Sequence, residues 1–225
     1  MITENLKAVK ERIQIAADRA DRDASDIKLV AVSKTHPVAV VREAIDAGLT
    51  VFGENKVQEA ERKITELGRD AAEWHLIGHL QSNKARKAVH LFDVIQSVDS
   101  LELAERLERI CEEEGRDNLS VLVQVDLAGE DTKSGIAAAD LAKLVEFLKG
   151  CERLSFDGLM VLPPFFDDPE ATRGYFRQLR AVRDEVIPGG ELSMGMSHDF
   201  EVAIEEGSTM VRIGTAIFGA REHNE

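Results

Sequence analysis

Short apolar runs alternate along this chain with longer amphipathic stretches. Eight of the runs have the length and the β-branched content of strands. They are "KLVAVS", "TVFG", "WHLIG", "DVIQS", "SVLVQVD", "SFDGLMVL", "ELSMG" and "TMVRIG". Between nearly every pair, apolar residues recur at helical spacing, and several of these stretches end in glycine, which commonly follows a helix C-terminus. The pattern therefore predicts eight strands that alternate with helices.

Repetition of strand, helix and strand requires parallel strands joined by crossover helices. An open doubly wound sheet usually has fewer strands and a glycine-rich first turn, whereas the first turn here, "SKTHP", contains no glycine. The chain is thus predicted to be an α/β protein that forms a closed (β/α)8 TIM barrel. Ile2, Leu6, Val9, Ile13 and Ala17 recur at helical spacing and predict an additional N-terminal helix. Because no linker-like segment interrupts the pattern, we expect one domain over residues 1–225.

Composition and charge narrow the classes of function. The chain has 225 residues, of which 44% are hydrophobic and 31% charged, as in ordinary globular proteins. A formal net charge of −14 argues against nucleic acid or an anionic membrane as the main partner. Charges interrupt the N-terminal stretch, unlike a signal peptide, and two cysteines without metal-type spacing favour free thiols in a reducing compartment. The sequence predicts a cytoplasmic protein that binds neither nucleic acid nor membrane.

A lysine stands out at the end of the first predicted strand. In "KLVAVSKTHP", strand alternation places Lys34 on the face of Val30 and Val32. An ammonium beside a core is driven toward its neutral, nucleophilic form. Such a lysine can form an imine with a carbonyl compound. The other interpretation, that Lys34 only marks the strand's exit into solvent, stays open.

Two segments near the C-terminus are suited to an anion. Ser197 in "SMGMSHDFEVAIEEG" lies at the predicted N-cap of a helix, and Gly214 and Thr215 of "RIGTAIFG" begin a short final turn. Barrels often hold phosphate with the loops that follow strands seven and eight. Each segment alone is also typical of an ordinary cap or turn. Together, on adjacent strands, they indicate a phosphate site.

Arg212 interrupts the apolar strand "MVRIG". A guanidinium inside a barrel needs a partner, which is either an acidic residue of a neighbouring strand or a ligand. An imine-forming lysine, a phosphate site and a buried arginine together match pyridoxal 5′-phosphate (PLP), which carries an aldehyde, a phosphate and a ring nitrogen. A Schiff-base aldolase acting on a sugar phosphate would leave Arg212 without a role.

Long ordered motifs carry a resemblance to a known family. With "KLVAVSKTHP", "FGENKVQEA", "WHLIGHLQSNKAR", "DTKSGI", "GLMVLPP" and "LSMGMSHDFEVAIEEGSTMVRIGTAIFG", the chain resembles the pyridoxal phosphate homeostasis proteins of the YggS/PROSC type, from about Lys28 to Arg221. The resemblance implies the barrel of the alanine racemase N-terminal domain and PLP as cofactor. The matching site residues are Lys34 (Schiff base), Asn55 (pocket lining), Met196 (ring contact), Ser197, Gly214 and Thr215 (phosphate) and Arg212 (pyridine nitrogen), with His79 as a further wall residue. Departures from the family's pattern at Lys56, Asp126 and His198 remove none of these contacts.

The resemblance also implies a role in PLP homeostasis, as buffering, carriage or delivery to apo-enzymes, with an indirect effect on amino- and keto-acid balance. An arginine that donates to the ring nitrogen keeps it unprotonated and weakens the ring as an electron sink. Related racemases take a second acid/base, a tyrosine, from an extra domain of a partner subunit, whereas the one tyrosine here, Tyr175, lies in the helical stretch "GYFRQL". We therefore expect a non-catalytic, monomeric PLP-binding protein, with a weak PLP-dependent amino-acid racemase as the alternative. Lys84 and Lys133 either handle the cofactor or are solvated loop lysines.

Overall fold

The computed structural model describes residues 1–129 and 134–219, and in this part of the chain eight parallel strands pair in sequence order. They are β1 (Lys28–Val32), β2 (Val51–Glu54), β3 (Glu73–Leu76), β4 (Val94–Val98), β5 (Leu119–Gln124), β6 (Leu154–Met160), β7 (Glu191–Met196) and β8 (Met210–Ile213). Pairing of β1 with β8 closes the barrel, with Val30 opposite Arg212. The predicted (β/α)8 TIM barrel is confirmed.

Helices surround the barrel and connect its strands. They are α1 (Ile2–Arg19), α2 (Val38–Asp46), α3 (Val57–Leu67), α4 (Ala85–Leu91), α5 (Leu101–Glu114), α6 (Ala138–Lys149), α7 (Arg173–Val186), α8 (Phe200–Glu205) and α9 (Thr215–Phe218). Short 3-10 helices precede β1, β3, α4 and α7. The Ser100 hydroxyl accepts a hydrogen bond from the Leu103 N–H at 3.3 Å, so Ser100 caps α5.

The predicted N-terminal helix is confirmed as α1, which packs on α8 and α9. Its buried face consists of the residues that predicted it together with Ala16. The Arg12 guanidinium lies 4.4 Å from the centroid of the Phe200 ring and forms a 2.6 Å ion pair with Glu201. The Asn5 amide donates to the Ile217 carbonyl oxygen at 2.9 Å. The first helix is therefore fastened to the last two.

Strand alternation divides the core into two layers. Residues on the outward faces of the strands pack with the helices in one large cluster. Apolar residues on the inward faces fill the barrel in a second cluster of Val30, Val51, Val94, Leu122, Met160 and Met210. Polar residues also point inward from the strands, and Arg212 is one of them, with only 2% of its surface exposed. The barrel interior thus has an apolar layer that polar side chains cross.

Two boundaries differ from the sequence predictions. β1 ends at Val32, so Lys34 does not terminate the strand but lies two residues beyond it, beside Thr35 with φ +70°. The strand stops because the Ser33 carbonyl oxygen accepts from the His36 N–H and from the Lys63 ammonium, not from a neighbouring strand. The second boundary is that of α8.

The prediction that Ser197 caps a helix was wrong. Helix α8 begins at Phe200 with Asp199 at its N-cap. The Asp199 carboxylate accepts from the Met196 N–H at 2.7 Å, and the Asp199 N–H donates to the Met196 carbonyl oxygen at 3.1 Å. These bonds form a separate turn that contains Ser197, ahead of the helix.

Both cysteines are free thiols, as expected. Burial raises the pKa of Cys111 to about 11 and the pKa of Cys151 to about 12, which keeps both thiols protonated at neutral pH. Across residues 1–129 and 134–219, no helix is both long enough and apolar enough to pass through a membrane.

Candidate functional site

The predicted site residues gather at the carboxyl end of the barrel. Lys34 and Asn55 follow β1 and β2, Met196 and Ser197 end and follow β7, and Gly214 follows β8. β1 and β8 are paired neighbours, and a Cβ built on Gly214 would lie 3.2 Å from the Val32 carbonyl oxygen. The first and last strand–loop junctions therefore lie side by side, which brings the lysine turn next to the turn predicted to bind phosphate.

A buried ionic cluster supports the Lys34 turn. The Lys63 ammonium, on a side chain only 4% exposed, donates to Glu54 Oε1 at 2.6 Å, to Glu59 Oε1 at 2.8 Å and to the Ser33 carbonyl oxygen at 2.7 Å. Glu59 also accepts from the Thr35 N–H. Backbone groups on both sides of Lys34 are thus held by one ion-paired cluster.

Glu54 is the least solvated member of that cluster. Its Oε1 accepts from the Ser33 hydroxyl at 2.5 Å and from Lys63, whereas Oε2 is buried without a hydrogen-bond partner in the described part of the chain. Burial raises the pKa of Glu54, and the charge of Lys63 opposes that rise. Glu54 is the last residue of β2 and therefore lies at this end of the barrel. Its partner Lys63 was not predicted, because in the sequence it resembles an ordinary surface lysine of an amphipathic helix.

A glycine fixes the backbone of Asn55. A Cβ built on Gly78, just after β3, would lie 2.3 Å from the Asn55 carbonyl oxygen and 2.8 Å from its Cα. The Gly78 carbonyl oxygen in turn accepts from the Ser97 hydroxyl at 2.7 Å. Only a residue without a Cβ permits this approach, so Gly78 sets where Asn55 enters the mouth of the barrel.

Backbone N–H groups converge on the Ser197 hydroxyl. Ser197 Oγ accepts from the Gly214 N–H at 3.2 Å and from the Ala216 N–H at 3.4 Å. Gly214 and Thr215 begin the short α9, as predicted from the sequence. Two amides that share one oxygen are the arrangement that binds an oxygen of an anion. Ser197, Gly214 and Thr215 are therefore brought together, with Thr215 exposed on the solvent side.

Arg212 is buried and held by neutral groups. Its Nη1 donates to Ser193 Oγ at 2.6 Å and its Nη2 donates to the Val161 carbonyl oxygen at 2.8 Å. Burial lowers the pKa of Arg212 to about 10, and the nearby charge of Asp199 opposes this effect. The guanidinium is thus still charged at neutral pH. The alternative of a buried salt bridge is not what holds it, because both of these partners are uncharged.

The remaining predicted residues lie at the rim. Met196 is 37% exposed. His79 is exposed, with its Nδ1 3.0 Å from Asp99 Oδ2, and Lys84 is half-buried at the end of a 3-10 helix. Lys133 lies outside the described residues. The structure therefore places His79 beside an acidic partner at the outer edge of the mouth.

Sequence reasoning missed three residues that hold the site: Lys63, Ser193 and Asp199. Ser193 carried a signal, since it interrupts the inward face of an apolar strand as Arg212 does. The same signal marks His75 and Gln96, which are both fully buried.

Known proteins resemble this chain over nearly its whole length. Residues 5–222 match the family model described as alanine racemase, N-terminal domain. The chain is 46% identical over 223 residues to the pyridoxal phosphate homeostasis protein of Pseudomonas aeruginosa, covering 99% of this chain and 96% of that one. It is 43% identical over 227 residues to the protein of the same name from Aquifex aeolicus, covering 98% of each.

Solved structures give the same relationship. PipY of Synechococcus elongatus, solved with PLP bound, superposes with a TM-score of 0.85 at 41% identity, covering 97% of this chain and all of that one. Alanine racemase from Corynebacterium glutamicum shares the fold at a TM-score of 0.68 and 19% identity, and the match spans 97% of this chain and 63% of the racemase. The chain belongs to the pyridoxal phosphate homeostasis protein family, whose barrel is that of the alanine racemase N-terminal domain.

Proposed function

We propose that this protein binds PLP reversibly through a Schiff base on Lys34 and serves PLP homeostasis by buffering, carrying or delivering the cofactor. One observation carries the proposal: an amine, a pair of convergent N–H groups and a buried charged guanidinium lie around one barrel mouth. PLP offers an aldehyde, a phosphate and a ring nitrogen to those three groups. Membership of the homeostasis family, and the PLP bound to PipY, support the same assignment.

Lys34 supplies the covalent link. Its neutral amine forms a C=N bond to the aldehyde carbon of PLP, and one water molecule is released. The reaction needs no oxidant and reverses when water or another amine attacks the imine carbon. The Lys63 cluster holds the backbone on both sides of Lys34 and so restricts the movement of the Lys34 amine away from the mouth of the barrel.

The phosphate is assigned to the turns after β7 and β8. The N–H groups of Gly214 and Ala216 already point at one oxygen, Ser197 Oγ. In the proposed complex Ser197 and Thr215 add hydroxyl donors, while Asn55 and Met196 line the pocket. Because Gly214 has no Cβ, a phosphate oxygen can approach the backbone N–H groups of this turn closely.

Arg212 is assigned to the ring nitrogen and argues for carriage over catalysis. A guanidinium only donates hydrogen bonds, so the nitrogen it meets stays an unprotonated acceptor. PLP supplies an electron sink to its enzymes, and an unprotonated ring is a weaker one. Tyr175, the single tyrosine, lies on α7 with its ring 6.1 Å from that of Phe166. We therefore propose a non-catalytic protein, and chiral analysis of amino acids incubated with it tests the racemase alternative. Turnover of about 1 s⁻¹ or more would overturn the carrier role.

Titration of dialysed protein with PLP tests the covalent site. The wild type is expected to take up one equivalent, gain a visible absorption band and keep the label on Lys34 after borohydride reduction and peptide mass analysis. Lys34→Ala is expected to lose the band, whereas the matched variant Lys84→Ala, which replaces the half-buried lysine of the 3-10 helix after β3, keeps it. Labelling of another lysine in the wild type, or an unchanged band in Lys34→Ala, contradicts the proposal.

Delivery is tested with an apo-PLP enzyme. PLP-loaded wild type, separated from free cofactor, is expected to restore the activity of the apo-enzyme, and Lys34→Ala treated identically is not. We further propose that residues 1–225 act as one domain and as a monomer in the cytoplasm, which light scattering of the purified protein and localisation of a tagged chain test. A stable dimer would refute the monomer.

A further inference from the structure

A continuous line of hydrogen bonds crosses the barrel interior below Arg212. From Arg212 it passes to Ser193 on β7, then across the barrel to Gln96 on β4 and on to His75 on β3. Ser193 Oγ lies 2.5 Å from Gln96 Oε1, Gln96 Nε2 lies 2.7 Å from His75 Nδ1, and His75 Nε2 lies 2.7 Å from Glu73 Oε1. Glu73 also accepts from the Lys28 ammonium at 2.9 Å.

The two ends of this line, together with a neutral His75 ring, fix the direction of every hydrogen bond in it. Arg212 can only donate, and the ionised Glu73 can only accept. His75 Nε2 therefore carries the proton that Glu73 accepts. Burial lowers the pKa of His75, so the ring is neutral and its Nδ1 is an acceptor. Gln96 then donates its amide N–H to His75.

The orientation of Gln96 in turn fixes the serine. With its nitrogen toward His75, Gln96 presents its oxygen to Ser193, and the Ser193 hydroxyl donates to it. A lone pair of Ser193 Oγ therefore faces Arg212 and accepts the hydrogen bond from its Nη1 at 2.6 Å. A doubly protonated His75 would turn Gln96 around and remove the acceptor for the Ser193 proton. The protonation state of His75 therefore affects the hydrogen bond of the Arg212 guanidinium through Gln96 and Ser193.

Burial favours a single arrangement of these hydrogen bonds. Ser193, Gln96 and His75 are each 0% exposed, and the Gln96 amide also lies 3.7 Å from the sulfur of Met210, a member of the apolar inner cluster. Buried polar groups without partners are costly, and a low local dielectric strengthens those that are paired. Glu73 and Lys28 line a cavity of about 630 Å³ at the opposite, amino-terminal end of the barrel. The line therefore runs from one end of the barrel to the other.

We infer that His75 is a positioning residue for the ring nitrogen of bound PLP: through Gln96 and Ser193 it orients the Arg212 guanidinium, and it does so as the neutral Nε2–H tautomer. The inference rests on the proposed function, because it assigns Arg212 to that nitrogen. Removal of the His75 acceptor frees Gln96 to rotate, and Ser193 loses its fixed hydroxyl. Arg212 then meets the nitrogen with poorer geometry, while the lysine and phosphate contacts are untouched.

A pair of ligands isolates this effect. PLP and its 1-deaza analogue, which has C–H in place of the ring nitrogen, share the aldehyde and the phosphate. His75→Leu is expected to weaken PLP binding about tenfold, which corresponds to the lower end of the free energy of a hydrogen bond to a charged group. Binding of the analogue should change less than about twofold, because the analogue has no ring nitrogen to accept this hydrogen bond. Gln96→Leu should give the same selective loss. The control Val94→Ala creates a cavity in the same inner layer but outside the line of hydrogen bonds, and it should change the affinity for both ligands equally.

The outcomes separate the two proposals. Failure of the wild type to bind either ligand overturns the proposed function and this inference with it. A wild type that prefers PLP, together with a His75→Leu variant that keeps the same preference, overturns the positioning role alone. Nitrogen-15 NMR of the unliganded wild type at pH 7 needs no variant to fold. A His75 ring with protonated Nε2 and bare Nδ1 supports the inference, and any other protonation state refutes it.

Discussion

Replacing Lys63 by methionine tests whether the buried cluster holds the Lys34 turn. Methionine keeps most of the side-chain volume but removes the charge and three hydrogen bonds, to Glu54, Glu59 and the Ser33 carbonyl oxygen. Glu54 is 0% exposed, so its carboxylate would stay buried without a counterion. Removing one partner of a buried ion pair lowers the free energy of unfolding by about 3–5 kcal/mol. We expect a loss in this range at pH 8.

The loss should depend on pH in a definite direction. Burial already raises the pKa of Glu54 above its ordinary 4.5, and without Lys63 it rises further because the opposing charge is gone. Between the unfolded and folded values the folded state of the variant binds more protons than the unfolded chain. Its free energy of unfolding therefore falls as pH increases through this window, by at most about 1.4 kcal/mol per pH unit.

Urea unfolding of the variant at several pH values between 5 and 8 measures both effects. The double variant Lys63→Met/Glu54→Gln should recover about 2 kcal/mol at pH 8 and lose the additional pH dependence. Lys87→Met, which breaks the exposed ion pair with Glu61 between neighbouring helices, serves as the matched control and should change stability by less than about 1 kcal/mol. A loss in Lys63→Met as small as that of the control, or a double variant with the same pH slope, would refute the reasoning.

Two further predictions concern the barrel. Gly78→Ala would place a Cβ 2.3 Å from the Asn55 carbonyl oxygen. This variant should lower the free energy of unfolding by about 1–3 kcal/mol and weaken PLP binding. The control Gly174→Ala, where a Cβ meets nothing within 4 Å, should do neither, and equal effects of the two variants would contradict the argument. Hydrogen bonds from His75 and from the Lys28 ammonium hold the pKa of Glu73 at about 2 against an ordinary 4.5, so its stabilisation is present above pH 4.5 and is lost as pH falls toward 2. The stability advantage of the wild type over Glu73→Gln should therefore shrink between pH 6 and pH 3 in denaturant titrations, and a constant advantage would exclude this contribution.

The fold was predictable because its signals are local. Each strand of a barrel buries both of its faces and therefore appears in the sequence as a short apolar run. Eight such runs separated by amphipathic helices predict a closed barrel. The ends of elements were less accessible. β1 stops where the Ser33 carbonyl oxygen bonds to Lys63, thirty residues along the chain, and the turn at Ser197 depends on the Asp199 side chain.

The candidate site divides in the same way. Arg212 was recognisable because a charged residue in an apolar strand needs a partner, whereas the role of Lys63 depends on which face of α3 packs against the barrel. Placement of Lys34, Ser197 and Gly214 at one mouth followed from barrel topology once the strands were counted. The support around them comes from contacts between distant segments, which no local pattern in one sequence displays.

Closure of the barrel between β1 and β8 has a consequence for biosynthesis. Lys34 leaves the ribosome early, but the turn at Gly214 follows roughly 180 residues later, about 10–40 s at typical rates of translation. Until then the turn after β8 that we propose as the phosphate site is absent, and α1 lacks the two helices on which it packs. If Lys34 binds PLP as proposed, a nascent or stalled chain cannot retain the cofactor, and loading is confined to chains that have closed the barrel.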